Sequence, residues 1–263
     1  MKIVVCIKQV PDTSEVKLDP KTNTLIRDGV PSIINPDDKS GIEAALRIKE
    51  QVGGTVTVVC MGPPQADVAI REALAMGCDD GVLISGREFG GADTWATSST
   101  IAAALKKIDY DIIITGRQAI DGDTAQVGPQ IAEHLGLPQV SYAEDIQVES
   151  ENSIIVKRQY EDRYQKVRIK PPCVITALTE LAEPRYMSVS GTVDAYAKEI
   201  KVLGFEELKD KLNPEHIGLK GSPTNVVQSF TKQAKGAGTV LKDASADEAV
   251  KAIIAKLEEK YII

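Results

Sequence analysis

Thr115-Gly116-Arg117-Gln118-Ala119-Ile120-Asp121-Gly122-Asp123-Thr124-Ala125-Gln126-Val127-Gly128-Pro129 is the stretch that decides how this chain is read. It follows the apolar run Ile112-Ile113-Ile114 and leads into an amphipathic segment that ends at Leu135-Gly136. The order is strand, glycine turn, helix. Such a turn can set backbone N–H groups and the positive end of a helix against a phosphate. Asp123 is the expected N-cap of a helix over residues 124–135, with Gln126 at the third position and Val127, Ile131 and Leu135 on its buried face. A well-capped turn would need little more than that. The polar density of Arg117, Gln118, Asp121, Asp123, Thr124 and Gln126 exceeds it and points to a ligand. The Asp-Gly-Asp-Thr segment is not an EF-hand, since the later ligand positions and the closing glutamate are missing.

Outward from this stretch the same alternation repeats. Ile3-Val4-Val5-Cys6-Ile7 is short, continuous and β-branched, as a strand buried on both faces requires. Residues 55–60, 81–85 and 112–115 give three more such runs. Between them, residues 65–76 and 94–107 read as helices, with Gly77 near a C-cap and Asp93 at an N-cap. Ser40 and Glu43 form a capping-box pattern ahead of Ile42, Leu46 and Ile48, and Gly53-Gly54 ends that helix. Residues 16–33 are mixed and polar and read as a small hairpin insertion turning at Asp28-Gly29. The fold class is α/β: a doubly wound, mainly parallel sheet with its ligand beyond the carboxyl ends of the strands.

After Gly136 the pattern changes to short strands over 146–148, 154–158 and 164–169, a small antiparallel addition, before buried character returns at Val174-Ile175-Thr176. Past about Pro184 the chain is polar and shows no clear core strand. Ser245 and Glu248 then make a second capping box, opening a helix with Val250, Ile253, Ile254 and Leu257 on one face. The expected organisation is a nucleotide-binding α/β domain over residues 1–195. An extended C-terminal arm over 196–263 follows, whose terminal helix packs on a partner subunit.

Composition narrows the function. At 263 residues, 43% hydrophobic and 26% charged, the chain can bury a sizeable core. Its net charge of −7 argues against nucleic acid or an anionic membrane surface as partner. No apolar run approaches a membrane span and no signal-peptide pattern follows Met1, so a cytoplasmic protein is expected. The four cysteines, Cys6, Cys60, Cys78 and Cys173, include no C-x-x-C, and no metal site is expected. Cys6, Cys60 and Cys173 read as small buried hydrophobes.

Catalytic constellations are absent too. His134 and His216 have no nucleophile at a recognisable spacing; His134 reads as a helix-end cation and Trp95 as core. Neither G-x-G-x-x-G nor a P-loop is present. What converges instead is a set of strand ends. Cys6, Ile7 and Lys8 follow the first strand, Met61 and Gly62 the second, and Ala92, Asp93 and Thr94 open the next helix, with Thr97 one turn further on. Together they surround one crevice where this fold class places a nucleotide.

These residues resemble the β subunit of electron-transfer flavoproteins over nearly the whole chain. The matching features are Val5-Cys6-Ile7-Lys8-Gln9-Val10, Asn35-Pro36, and Gly62-Pro63 followed by Arg71-Glu72-Ala73-Leu74-Ala75-Met76-Gly77. The central stretch matches the family's nucleotide loop, Gly-x-Gln-Ala-Ile-Asp-x-Asp. A later signature covers residues 156–176, with Arg158, Glu161, Asp162, Gln165, Val167 and Pro172; Arg163 departs from it, where an acidic residue or glycine is usual. The resemblance implies an adenine-nucleotide-hydrolase-like sheet and a heterodimer with an α subunit that carries one FAD. It carries over Cys6, Asn35 and Met61 as nucleotide contacts, with residues 116–127 as the main loop. Arg185, Tyr186, Met187, Ser188, Val189 and Ser190 would form the loop that docks a partner.

In the common electron-carrying members the loop reads Asp-x-Asp-x-Asn-Gln-Thr and the β subunit holds AMP. Here Ala125 and Val127 replace the amide and the hydroxyl, which resembles the electron-bifurcating members that hold a second FAD meeting NADH. The implied partners are ferredoxin or flavodoxin and a flavoprotein dehydrogenase, of acyl-CoA dehydrogenase or 2-hydroxy acid dehydrogenase type. Asp37 stands where AMP-type members often have an aromatic residue. Two other classes compete. A nucleotide hydrolase of the ATP-pyrophosphatase type would show Ser-Gly-Gly-x-Asp-Ser after the first strand, where this chain has Lys8-Gln9-Val10-Pro11. A nucleotide-binding sensor fits poorly with the long C-terminal arm.

Overall fold

Strand β1 (Lys2–Ile7) lies in the middle of the parallel part of the sheet, where its apolar side chains are buried on both faces. Ile3, Val5 and Ile7 join one core cluster, and Val4 and Cys6 join the other. The computed structural model describes residues 1–12, 31–224, 226–227, 236, 238–242 and 244–263. They form two compact units, Met1–Val226 and Val227–Ile263.

Within the first unit, β1 is followed by β2 (Gln9–Pro11) and β3 (Ser32–Ile34), then α1 (Pro36–Val52), β4 (Thr55–Met61), α2 (Asp67–Met76) and β5 (Asp80–Ile84). Next come α3 (Thr94–Leu105), β6 (Ile112–Gly116), α4 (Val127–Leu135), β7 (Gln139–Ser150), β8 (Ser153–Gln159), β9 (Tyr164–Ile169) and β10 (Cys173–Ala177). The unit ends with α5 (Val189–Ala197), β11 (Ile200–Leu203) and α6 (Phe205–Leu208). Among the described residues the large sheet has nine strands in the order β11-β5-β4-β1-β6-β10-β7-β8-β9. Pairing is parallel from β11 through β7 and antiparallel across β7, β8 and β9. The doubly wound sheet with a small antiparallel addition is therefore present.

The two core clusters are the two faces of this sheet. Ile42, Leu46, Ile70 and Ala73 of α1 and α2 cover one side, and Ile101, Ala104, Leu105 and Ile131 of α3 and α4 cover the other. Strand order reverses at β1: the chain runs outward through β4 and β5, then returns to place β6 on the opposite flank. That reversal leaves a crevice beyond the carboxyl ends of β1 and β6, the position such sheets use for ligands.

Several expectations need correction. Helix α1 starts at Pro36, a turn before the Ser40–Glu43 pattern. Proline at the first position pre-sets the helical φ, and Asp37 and Asp38 complement the helix dipole. Ser40 and Glu43 are instead buried inside the helix: the Ser40 hydroxyl donates to the Leu178 carbonyl at 2.9 Å, and Glu43 holds Arg185 at 2.8 Å. Strand β7 spans twelve residues rather than three. The chain past residue 195 also contributes a sheet strand: β11 pairs with β5, and the first unit continues to Val226. Most of the hairpin read over 16–33 lies outside the described residues; its flanks, β2 and β3, pair antiparallel.

The second unit contains α7 (Ala246–Glu259). Its capping box forms as expected, with the Ser245 N–H donating to Glu248 at 2.8 Å.

Gly128 fixes how closely α4 approaches the sheet. A Cβ there would lie 2.5 Å from the Thr115 hydroxyl and 2.8 Å from a Thr176 methyl. Gly128→Ala is expected to destabilise the fold by about 1–3 kcal/mol through overpacking, read as a lower denaturation midpoint at unchanged slope.

Candidate functional site

The first turn of α1 holds the loop that follows β6. Asn35 is fully buried, and its side chain does not cap its own helix. Its amide donates to the Gln118 carbonyl at 2.8 Å, and its oxygen accepts the Ile120 N–H at 3.1 Å. Asp38, also buried, accepts the Lys8 N–H at 2.7 Å and the Gly116 N–H at 2.8 Å. One carboxylate thus ties together the ends of β1 and β6. Gly116 is required for this approach, since a Cβ would lie 2.2 Å from Asp38 Oδ1. Burial pushes the Asp38 carboxyl up to about 7, against the lowering effect of its N–H donors and of Asn35.

Beyond these ends lies a cavity of about 280 Å³. Cys6, Ile7 and Lys8 line it from β1 and its end, Met61 from β4, and Thr94 and Thr97 from α3. From the central loop come Gly116, Arg117, Gln118, Ala119, Gly122, Asp123, Thr124, Ala125, Gln126 and Val127. Asn35, Gly62, Ile120 and Asp121 do not line it. Asn35 acts behind the loop, and Asp121 turns inward to bind the Lys8 ammonium with both oxygens, at 2.7 and 2.8 Å. Ala92 and Asp93, expected around the crevice, line it as well, as do Thr115 and Gly128 of the central stretch; sequence reasoning missed Asp38 and Ile101. Asp93 had been read as a cap, and its carboxylate does accept the Ala96 N–H at 3.0 Å.

The loop conformation departs from a simple cap. Asp123 and Ala125 have φ of 48° and 53°, in the left-handed region. An N-cap needs extended backbone, so Asp123 cannot serve; it accepts the Gln118 amide at 3.0 Å instead. Helix α4 begins at Val127 with no side-chain cap on its N-terminus. Its first N–H groups lack intrahelical partners and stand at the cavity wall, where a phosphate would satisfy them. Val127 is half-buried, Ile131 fully buried and Leu135 half-buried. Left-handed Ala125 followed by right-handed Gln126 (φ −106°, ψ −33°) is the kind of backbone pairing from which anion nests are built.

Both cations on the lining are paired with buried acids. Lys8 is held by Asp121, whose side chain is 5% exposed, and Arg117 Nε lies 3.4 Å from Asp37 Oδ2. Removing the cation from either pair would leave a buried carboxylate without its charged partner. The site therefore offers a phosphate its backbone donors first.

The remaining candidates lie elsewhere. His134 packs against Trp95 with ring centroids 4.6 Å apart, and its Nε2 is 3.2 Å from the Ser98 hydroxyl. Burial and then Lys106 depress its pKa below the ordinary 6.5, which disfavours the helix-end cation expected. Trp95 is half-buried, not core. All four cysteines are buried and free, and burial raises each thiol pKa. Arg185 is pinned by Glu43 and Glu50, while Tyr186 is 100% exposed and Val189 85% exposed. Ser188 caps α5 by accepting the Gly191 N–H at 2.9 Å. No helix among the described residues is long and apolar enough to cross a membrane.

The chain is similar to known proteins over its full length. The family described as "Electron transfer flavoprotein domain" matches residues 22–207. The electron transfer flavoprotein subunit beta of Clostridium acetobutylicum is 54% identical over 264 residues, covering 100% of both chains. The caffeyl-CoA reductase-Etf complex subunit CarD of Acetobacterium woodii is 53% identical, again across 100% of both. The acryloyl-CoA reductase electron transfer subunit gamma of Anaerotignum propionicum is 50% identical with the same coverage.

Two outcomes follow from the clamp on the loop. Asn35→Ala removes the partners of the Gln118 carbonyl and the Ile120 N–H and is expected to cost about 1–3 kcal/mol, with faster amide exchange confined to residues 117–122. Asp38 has a folded pKa above its unfolded value of about 3.9. Its contribution to stability is therefore fully present below that value and is lost as pH rises through about 7. Unfolding measured between these limits should show wild-type stability falling with pH relative to Asp38→Asn.

Proposed function

Since the chain belongs to the electron transfer flavoprotein family as a β subunit, we propose that its cavity binds FAD, in an electron-bifurcating heterodimer whose α subunit carries a second FAD. The observation that carries this reading is the uncapped N-terminus of α4, flanked on the cavity wall by the apolar side chains of Ala125 and Val127. Residue by residue the chain fits a dinucleotide. Gly116 and Gly128 let strand and helix backbones close up behind the site, and the nest at Ala125–Gln126 presents N–H donors to a diphosphate. Cys6 and Met61 give the cavity an apolar wall.

A bound FAD would supply the redox chemistry, two-electron exchange with NADH and one-electron exchange both with ferredoxin or flavodoxin and, through the α-subunit FAD, with a flavoprotein dehydrogenase. The protein's own residues do no acid–base work in this scheme. Asn35 and Asp38 hold the loop, Asp121 orients Lys8, and the α4 N-terminus places partial positive charge beside the phosphates. The exposed Tyr186, Met187 and Val189, anchored by Arg185, form the loop that meets the dehydrogenase. The apolar face of α7 packs on the α subunit. Two relatives bear the names of CoA-thioester reductase complexes, which favours an acyl-CoA type of dehydrogenase over the 2-hydroxy acid type.

The purified heterodimer tests the reading by its cofactor content. Two FAD with no AMP, and flavin absorbance bleached by NADH, are expected; one FAD with one AMP would overturn it.

A further inference from the structure

Each cation on the cavity lining already faces a carboxylate, so its charge is partly compensated before a ligand arrives. Both oxygens of buried Asp121 engage the Lys8 ammonium. Arg117 is held less firmly: its Nε stands 3.4 Å from Asp37 Oδ2 without hydrogen-bond geometry. Asp37 is buried, and its other oxygen takes the Thr179 hydroxyl. Among the described residues, Arg117 is the one cation within ion-pair distance of Asp37, so moving it toward a phosphate would leave Oδ2 without that partner. The lining also carries the carboxylates of Asp38, Asp93 and Asp123.

The donors on the wall that no acid compensates are the backbone N–H groups at the start of α4. Those donors suit phosphates of roughly one charge each, as in the internal diphosphate of a dinucleotide. A terminal phosphomonoester carries about −1.5 to −2 on one phosphorus at pH 7 and calls for a side-chain cation.

We propose that Asp37 determines ligand specificity: by holding Arg117 it withholds the guanidinium from terminal phosphomonoesters and biases the cavity toward dinucleotides with an internal diphosphate. This rests on the nucleotide reading of the cavity above and adds to it a residue and a reason for the ligand class. Asp37 is singled out over Asp121 because one long contact, rather than a bidentate pair, is what a substitution can release.

The experiment uses the heterodimer with the β site freed of nucleotide and titrated with AMP and with FAD. Asp37→Asn is expected to shift relative affinity toward AMP by about tenfold, and Arg117→Gln added to it should cancel the shift. A ratio that stays within about twofold of wild type in Asp37→Asn, or a shift that survives loss of Arg117, overturns the proposal. Wild-type protein that binds neither nucleotide would instead sink the reading of the cavity itself. Wild-type protein also gives a measurement independent of any variant. With both cations paired, its AMP affinity should change by no more than about twofold from low to high salt, and a steep loss would overturn the proposal.

Discussion

The Asp38 carboxylate, bonded to the backbone N–H groups of Lys8 and Gly116, is the constraint on which the site depends. β1 and β6 are neighbours in the sheet, but pairing between them stops at Cys6 and Thr115. Beyond that point the two chains would be free to splay. Asp38 bridges them one residue past the last pair on the β6 side, and Asn35 extends the grip to Gln118 and Ile120. Everything that lines the cavity from the loop hangs from this first turn of α1.

The arrangement has an electrostatic cost that the fold tolerates. Asp37, Asp38 and Asp121 are buried or nearly so, in a protein that already carries net negative charge. Each is offset by a different partner: a guanidinium, two backbone N–H groups, an ammonium. The helix dipole of α1 adds to the stabilisation of the two at its N-terminus. Acids spend the side-chain cations, so the backbone is left to face the ligand.

The sheet was legible in the sequence because its inner strands are continuous β-branched runs. Ile112-Ile113-Ile114 can be little else, and the strand-turn-helix alternation around it sets the topology. Edges were harder. β11 reads Ile-Lys-Val-Leu, half-exposed and short, and β7 is long but mostly polar, so neither carries the apolar signal of a buried strand. Helix starts failed where polar residues serve tertiary partners. Ser40 and Glu43 have the spacing of a cap yet bond to the segment after β10, and Asp123 precedes a helix yet lies in the left-handed region. In the site, the lining contributed by the loop was legible from its motif. The roles of Asn35, Asp38 and Asp121 were not, because they depend on contacts between residues 30 to 113 apart in the chain.

Asn35 and Asp38 act on main-chain atoms: a carbonyl at Gln118 and N–H groups at Lys8, Gly116 and Ile120. Main-chain atoms are common to nearly every residue type, so the grip does not read the side chains it holds. With glycine kept at 116, the loop can be rewritten for a different ligand while its frame stays in place. The scaffold and the selectivity of the pocket are thus separable inheritances, carried by different parts of the chain and open to change at different rates.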